Sequence, residues 1–344
     1  MQSLPTLIKK AVISMTNLPR IATHLGPFGS GGDRYNLKGY KAAVGVEERL
    51  RQAAAVDGLG AVELNFRGLV TENSAAAVKA QMDVLGLACA NISMNVWGEA
   101  IWGLGGMTNP QATTRQEAVK LVVSGMQTAR SIGCGLVSLW PGQDGFDYPF
   151  ETDYRAMVDR FVGGVRECAE SVPDVRICIE YKVKEPRTHC LVDTAARTMW
   201  LIGKIDRPNV GVLLDVGHSL YAGENVAMSA ALLQREGMLD LLHFNDNYGE
   251  WDWDMIPATI RFWELIELVF WLKETGYSGW NSIDISAPRS DAAQAVQLSV
   301  TNIQRLYSLV DKLDHDLLLA NLDHSEPGAT MKLLSDQVFK ALGV

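Results

Sequence analysis

VRICIEYKVKEPR (residues 175–187), NVGVLLDVGHS (209–219), MLDLLHFNDNYGEWDWD (238–254) and GWNSIDIS (279–286) decide how the chain is read. Each carries a short apolar run of the length and composition of a buried strand. Each run ends near a polar group: Glu180, Asp215, His243 and Asp284. An isolated charge at the inner end of an apolar strand is very costly, so such a group must be paired or hold a metal. Any one of the four could be an ion pair at a sheet rim. Together, three carboxylates and an imidazole are a ligand set for a hard divalent cation.

Working outward, eight such runs recur, at residues 20–25, 61–65, 87–92, 136–139, 175–180, 210–215, 239–244 and 280–284. Helical patterns separate most of them, among them AAAVKAQMDVLG (75–86), YRAMVDRFVGGVRECAES (154–171) and RFWELIELVFWLKETG (261–276). Apolar residues return there at three and four, and the segments stop at Gly or Ser. Strand and helix in eight repeats predict an α/β fold, a single (β/α)8 TIM barrel over residues 1–310. A helical extension, 311–344, is expected to pack on the barrel or reach a neighbouring subunit. In such a barrel the chemistry sits at the C-terminal ends of the strands, where these four residues fall. The glycine-rich GPFGSGG (26–32) has neither a GxGxxG nor a P-loop spacing and reads as a mobile loop over the mouth.

The 344 residues are 47% hydrophobic, enough for one large core, and carry a net charge of −9. That balance argues against a surface that tracks nucleic-acid phosphates. The five cysteines are scattered, without zinc-knuckle spacing, and read as reduced, with Cys89, Cys134 and Cys178 buried. No stretch has the apolar length of a membrane span, and MQSLPTLIKKAVISMTNLPR does not read as a signal peptide. A cytoplasmic protein with no membrane partner is expected.

His218 follows Asp215 by three, and DWD sets Asp252 and Asp254 two apart on what reads as an extended loop. These three could hold a second ion beside the first. Lys182, two beyond Glu180, would face the same interior and could donate to a substrate oxygen. Glu185 reads as a helix-orienting residue. Tryptophans crowd the same end (Trp97, Trp102, Trp140, Trp251 and Trp253), and Trp97 with Trp140 are the preferred walls of a pocket there. With Glu180, His24 and Asn95 they make up the expected substrate-binding set.

IEYKVKEPR, LLDVGHS and LLHFNDNYGEWDWD together resemble the D-xylose isomerase and L-rhamnose isomerase superfamily, sharpest between residues 177 and 254. NISMNVWGEAIWGLGGMTNP and LWPGQDGFDYPF lean to the rhamnose-isomerase side. The resemblance implies a metal-dependent aldose–ketose isomerase, commonly a homo-oligomer, using Mn²⁺, Mg²⁺ or Co²⁺. It implies Glu180, Asp215, His243 and Asp284 as structural-metal ligands, and His218, Asp252 and Asp254 as the catalytic-metal set. Lys182 would polarise the carbonyl, and hydrogen would shift between neighbouring carbons as hydride. The xylose enzymes' ring-opening histidine has no counterpart in AVELNFRG or ANISMNVWG, where Glu63, Asn65 and Asn95 stand. That departure keeps open a single-metal sugar epimerase, or a lyase such as one cleaving C-glycosides, on the same barrel. A metal-dependent endonuclease fits worst, given six histidines and the negative charge.

Overall fold

The computed structural model describes residues 19–33 and 35–343. The signal-peptide reading of the N-terminal stretch therefore lies, but for its last two residues, outside the described residues. Eight parallel strands close into a barrel: β1 (Ile21–His24), β2 (Ala61–Asn65), β3 (Ala88–Met94), β4 (Leu136–Leu139), β5 (Arg176–Glu180), β6 (Val210–Asp215), β7 (Leu239–Phe244) and β8 (Trp280–Ile283). Each pairs with the next, and β1 closes on β8 through Ile21 opposite Asn281. The continuous apolar runs follow from burial on both faces, barrel lumen and surrounding helices. All six residues of β6 are buried.

The outer layer carries α1 (Val46–Ala54), α2 (Ala75–Leu85), α3 (Ala112–Ser131), α4 (Tyr154–Ser171), α5 (Ala195–Ile205), the short α6 (Val216–Tyr221), α7 (Val226–Arg235), α8 (Phe262–Glu274) and α9 (Ala292–Val310). Their apolar stripes face the strands, as in α8, which buries Leu265, Ile266, Leu268, Val269, Phe270 and Leu272. Side-chain caps fix several starts: Asp153 accepts from Arg155 N and Ala156 N at α4, and Asp291 from Gln294 N at α9. The tail forms α10 (His315–Asp323) and α11 (Pro327–Leu342). Leu318 and Val338 join the main core, and His315 Nε2 bonds to Val310 O at 2.9 Å, so the tail lies against the barrel.

Two irregularities bear on the site. The register between β2 and β3 shifts after Val62, so Glu63 pairs with Asn91 and Ala90 is the extra residue. A small antiparallel sheet of Gly145–Phe146, Thr188–Cys190 and Lys184–Glu185 sits beyond the ends of β4 and β5. Cys134, Cys168, Cys178 and Cys190 are buried and unpaired; Cys89 is only half-buried, because it lies near the N-terminal end of β3.

Candidate metal centre at the barrel mouth

The ends of β5, β6 and β7 and the residue after β8 bring Glu180, Asp215, His243 and Asp284 together. One potential ligand atom from each lies within 4.8 Å of the others. His243 Nδ1 stands 2.9 Å from Asp284 Oδ2, 3.5 Å from Glu180 Oε1 and 3.6 Å from Asp215 Oδ2, yet makes no well-angled hydrogen bond. Burial lowers the imidazole's proton affinity, but the carboxylates of Glu63, Asp284 and Glu180 outweigh it and hold it well above the ordinary value. Burial likewise favours the neutral Asp284 carboxyl, which His24 and His243 nevertheless keep ionised well below the usual range. His24 holds this ligand from β1, its Nε2 being 3.1 Å from Asp284 Oδ1 while its Nδ1 accepts from Gly26 N.

A second group, Asp215, His218 and Asp252, meets the same distance test, so Asp215 belongs to both. Asp215 caps α6 by accepting from His218 N at 2.8 Å, which sets the imidazole on the first turn after β6. Asn245 donates to both Asp215 oxygens, at 3.1 and 2.9 Å, and accepts from Gly217 N. A Cβ on Gly217 would stand 2.7 Å from Asn245 Oδ1, which explains the glycine of the Asp-Val-Gly-His element. His218 Nδ1 bonds to Tyr181 O at 2.9 Å, and Nε2 faces Asp252 Oδ2 at 3.3 Å. Burial opposes charge on His218, but Asp215 and Asp252 raise it to about 9. Asp252 is pushed up by burial and pulled further down, below the usual carboxylate range, by His218 and Lys182.

Lys182 is buried, donates to Asp252 Oδ2 at 2.6 Å and pairs with Glu185. Glu185 is thus part of the site, because the antiparallel sheet folds its strand back over the mouth rather than leading into a helix. The DWD loop also departs from an extended course. Asp254 takes a left-handed backbone (φ 46°), and neither ligand group includes it. Burial together with Asp252, Asp284 and Asp215 holds the Asp254 carboxyl well above its usual value, favouring the protonated acid. Asp246, two residues past β7, is structural: it accepts from the backbone N–H groups of Thr259, Ile260 and Arg261.

Glu180, Lys182, Glu185, His218, His243, Asp252, Asp254 and Asp284 line a cavity of about 1070 Å³, along with His24, Asn95, Trp97, Trp140, Glu63 and Gly26, while Asp215 lies buried beneath it. Trp97 and Trp140 meet edge to face at 5.0 Å, and Lys182 Nζ lies 5.0 Å from the Trp140 ring centre. Asn65 and Asn95 exchange amide hydrogen bonds of 2.6 and 2.9 Å across β2 and β3. The other three tryptophans of this end lie outside the cavity wall: Trp102 is buried, Trp251 lies tilted against Tyr221, and the exposed Trp253 meets Tyr248 edge-on. Glu63, Asn91 and Asn245 were not singled out as functional from sequence. Their signal was slight, a polar side chain within or just past an apolar strand.

The residues fit a divalent cation. Each group holds one buried atom without a hydrogen-bond partner, His243 Nδ1 in the first and Asp252 Oδ1 in the second, and the donors are hard. The sequence model described as a xylose isomerase-like TIM barrel matches residues 50–309. Among solved structures, a D-tagatose 3-epimerase-like protein is 18% identical, with TM-score 0.65 over 84% of this chain and 98% of its own. A xylose isomerase domain protein from Alicyclobacillus acidocaldarius is 17% identical, with TM-score 0.64 over 85% and 99%. The 3-keto-D-glucoside 4-epimerase of E. coli is 15% identical, with TM-score 0.64 over 83% and 99%. At these identities the likeness speaks for the fold.

Proposed function

This chain belongs to the xylose isomerase-like TIM barrel family, and on that premise we propose that it is a divalent-metal-dependent aldose–ketose isomerase acting on a small sugar. The observation that carries the reading is Asp215: one buried carboxylate shared by two ligand groups makes a cradle for two neighbouring cations. Glu180, Asp215, His243 and Asp284 would hold one; Asp215, His218 and Asp252 would hold the other, with Asp254 at the margin. Mn²⁺, Mg²⁺ or Co²⁺ bound there supplies Lewis acidity to adjacent sugar oxygens and lowers the pKa of bound water.

The chain's own groups account for the rest. Lys182 brings a buried, fixed positive charge beside the position of a carbonyl oxygen, where negative charge grows in the transition state. Trp97 and Trp140 offer apolar faces to the CH groups of a sugar and exclude water on that side. Asn95 lines the same cavity with a polar amide for a hydroxyl group, and His24 acts through Asp284. In the isomerisation hydrogen passes from C2 to C1 as hydride, O2 loses a proton and O1 gains one, so the atoms balance.

One observation favours a second reading. Lys182 already neutralises Asp252, which would leave a single four-ligand site and proton transfer beside a carbonyl, as in an epimerase or a lyase. An aldose labelled with tritium at C2, incubated with the Mn²⁺-loaded protein in ordinary water, separates the two. Label retained in the ketose supports hydride shift, whereas label lost to solvent supports proton transfer.

A further inference from the structure

We propose that Glu63, on β2, is a positioning residue that fixes the tautomer and ring orientation of His243 so that Nδ1 presents its lone pair to the cation. The inference rests on the cation-binding part of the reading above and not on the sugar chemistry.

Glu63 is 4% exposed, inside the barrel and three strands round from β7. Its two oxygens lie 3.1 and 3.3 Å from His243 Nε2. Asn91 Nδ2 donates to Glu63 Oε2 at 2.6 Å and to Ser138 Oγ at 2.8 Å, so three strands hold the carboxylate in place. The one-residue register shift at Ala90 makes this possible, because it puts Asn91 directly opposite Glu63. Bulges beside a site commonly re-aim a side chain in this way.

The chemistry then runs in one direction. An ionised carboxylate can only accept, so the Nε2 that faces it must carry hydrogen. When a cation displaces the second proton, the imidazole keeps its one N–H on Nε2, and Nδ1 offers a lone pair. That atom points among Glu180, Asp215 and Asp284. A lone pair facing three carboxylates is repulsive unless a proton or a cation lies between, and a divalent cation answers all four donors at once. Glu63 also adds electron density to the imidazole through the Nε2–H, strengthening it as a ligand.

The test is Glu63→Met, which keeps most of the side chain's length but removes the acceptor oxygens and the charge. Mn²⁺ affinity, measured by chelator competition on the full chain, is expected to fall 10- to 100-fold, the range for such supporting partners. An unchanged affinity in a folded variant would overturn the proposal while leaving the cation site intact. Failure of the wild type to bind Mn²⁺ would overturn both. If the variant does not fold, histidine ¹⁵N spectra of the Mg²⁺-loaded wild type decide: His243 with hydrogen on Nε2 supports the proposal, and hydrogen on Nδ1 overturns it.

Discussion

Lys182→Met should uncouple the two jobs of the second ligand group. Lys182 is 4% exposed and holds Asp252 through a 2.6 Å contact, with Glu185 on its other side. Met preserves the stem's volume but leaves Glu185 without a cation and Asp252 with His218 alone. Breaking a buried pair in this way costs about 3–5 kcal/mol, and the lower end applies because Glu185 is partly open to solvent. In chelator, the variant should therefore unfold with about 3 kcal/mol less stability than the wild type. Saturating Mn²⁺ gives Asp252 a new partner, so the variant should regain more stability from metal than the wild type does. About 3 kcal/mol corresponds to roughly a hundredfold tighter second-ion affinity. Turnover should move the other way, down by about 100- to 1000-fold, the usual loss for a fixed group facing developing charge. Urea titrations with and without Mn²⁺, beside aldose–ketose assays, read both. A variant as stable as the wild type in chelator, with the same response to Mn²⁺, would refute the reasoning.

Other expectations concern the walls and supports of the same mouth. Asp144 is fully buried, with Thr108 N and Oγ1 on one oxygen, and burial raises it to about 6 despite those bonds. The folded chain therefore holds the extra proton, and stability falls as pH rises from the ordinary value of 3.8 through about 6. Asp144→Asn removes this term, so its stability relative to wild type should rise by about 2 kcal/mol between about pH 4.5 and about pH 7.5 in urea titrations. A flat difference would contradict it. A Cβ on Gly26 would stand 2.4 Å from His24 Cε1, so Gly26→Ala should push the ring off Asp284 and weaken Mn²⁺ binding about tenfold by chelator competition. Trp97→Ala should raise KM for the sugar about tenfold, since it removes one face of the aromatic wall.

Where the sequence spoke clearly, periodicity and position agreed. The eight strands and the strand-end placement of Glu180, Asp215, His243 and Asp284 were readable because each side chain sits at a boundary between an apolar run and a loop. What failed was whatever depended on backbone course outside a regular element. Asp252 and Asp254 read alike at a spacing of two, and both line the cavity, but only Asp252 falls in a ligand group, and the left-handed backbone at Asp254 was not legible. Glu185 looked like a helix-orienting residue because KEPR reads as a turn, and the small sheet that returns it to Lys182 is a non-local pairing. Glu63 and Asn91 were hidden by a bulge that no residue type announces. The tryptophans were more legible: of the five at this end, Trp97 and Trp140, the pair expected to wall a pocket, line the cavity.

Elemental analysis of metal per chain, for the wild type and for Asp252→Ala with Asp254→Ala, tests the shared-carboxylate cradle most directly. Two ions per chain falling to one, with loss of aldose–ketose interconversion, is the expected result. One ion per chain in both proteins would contradict the two-cation centre and shift the assignment to single-metal epimerase or lyase chemistry.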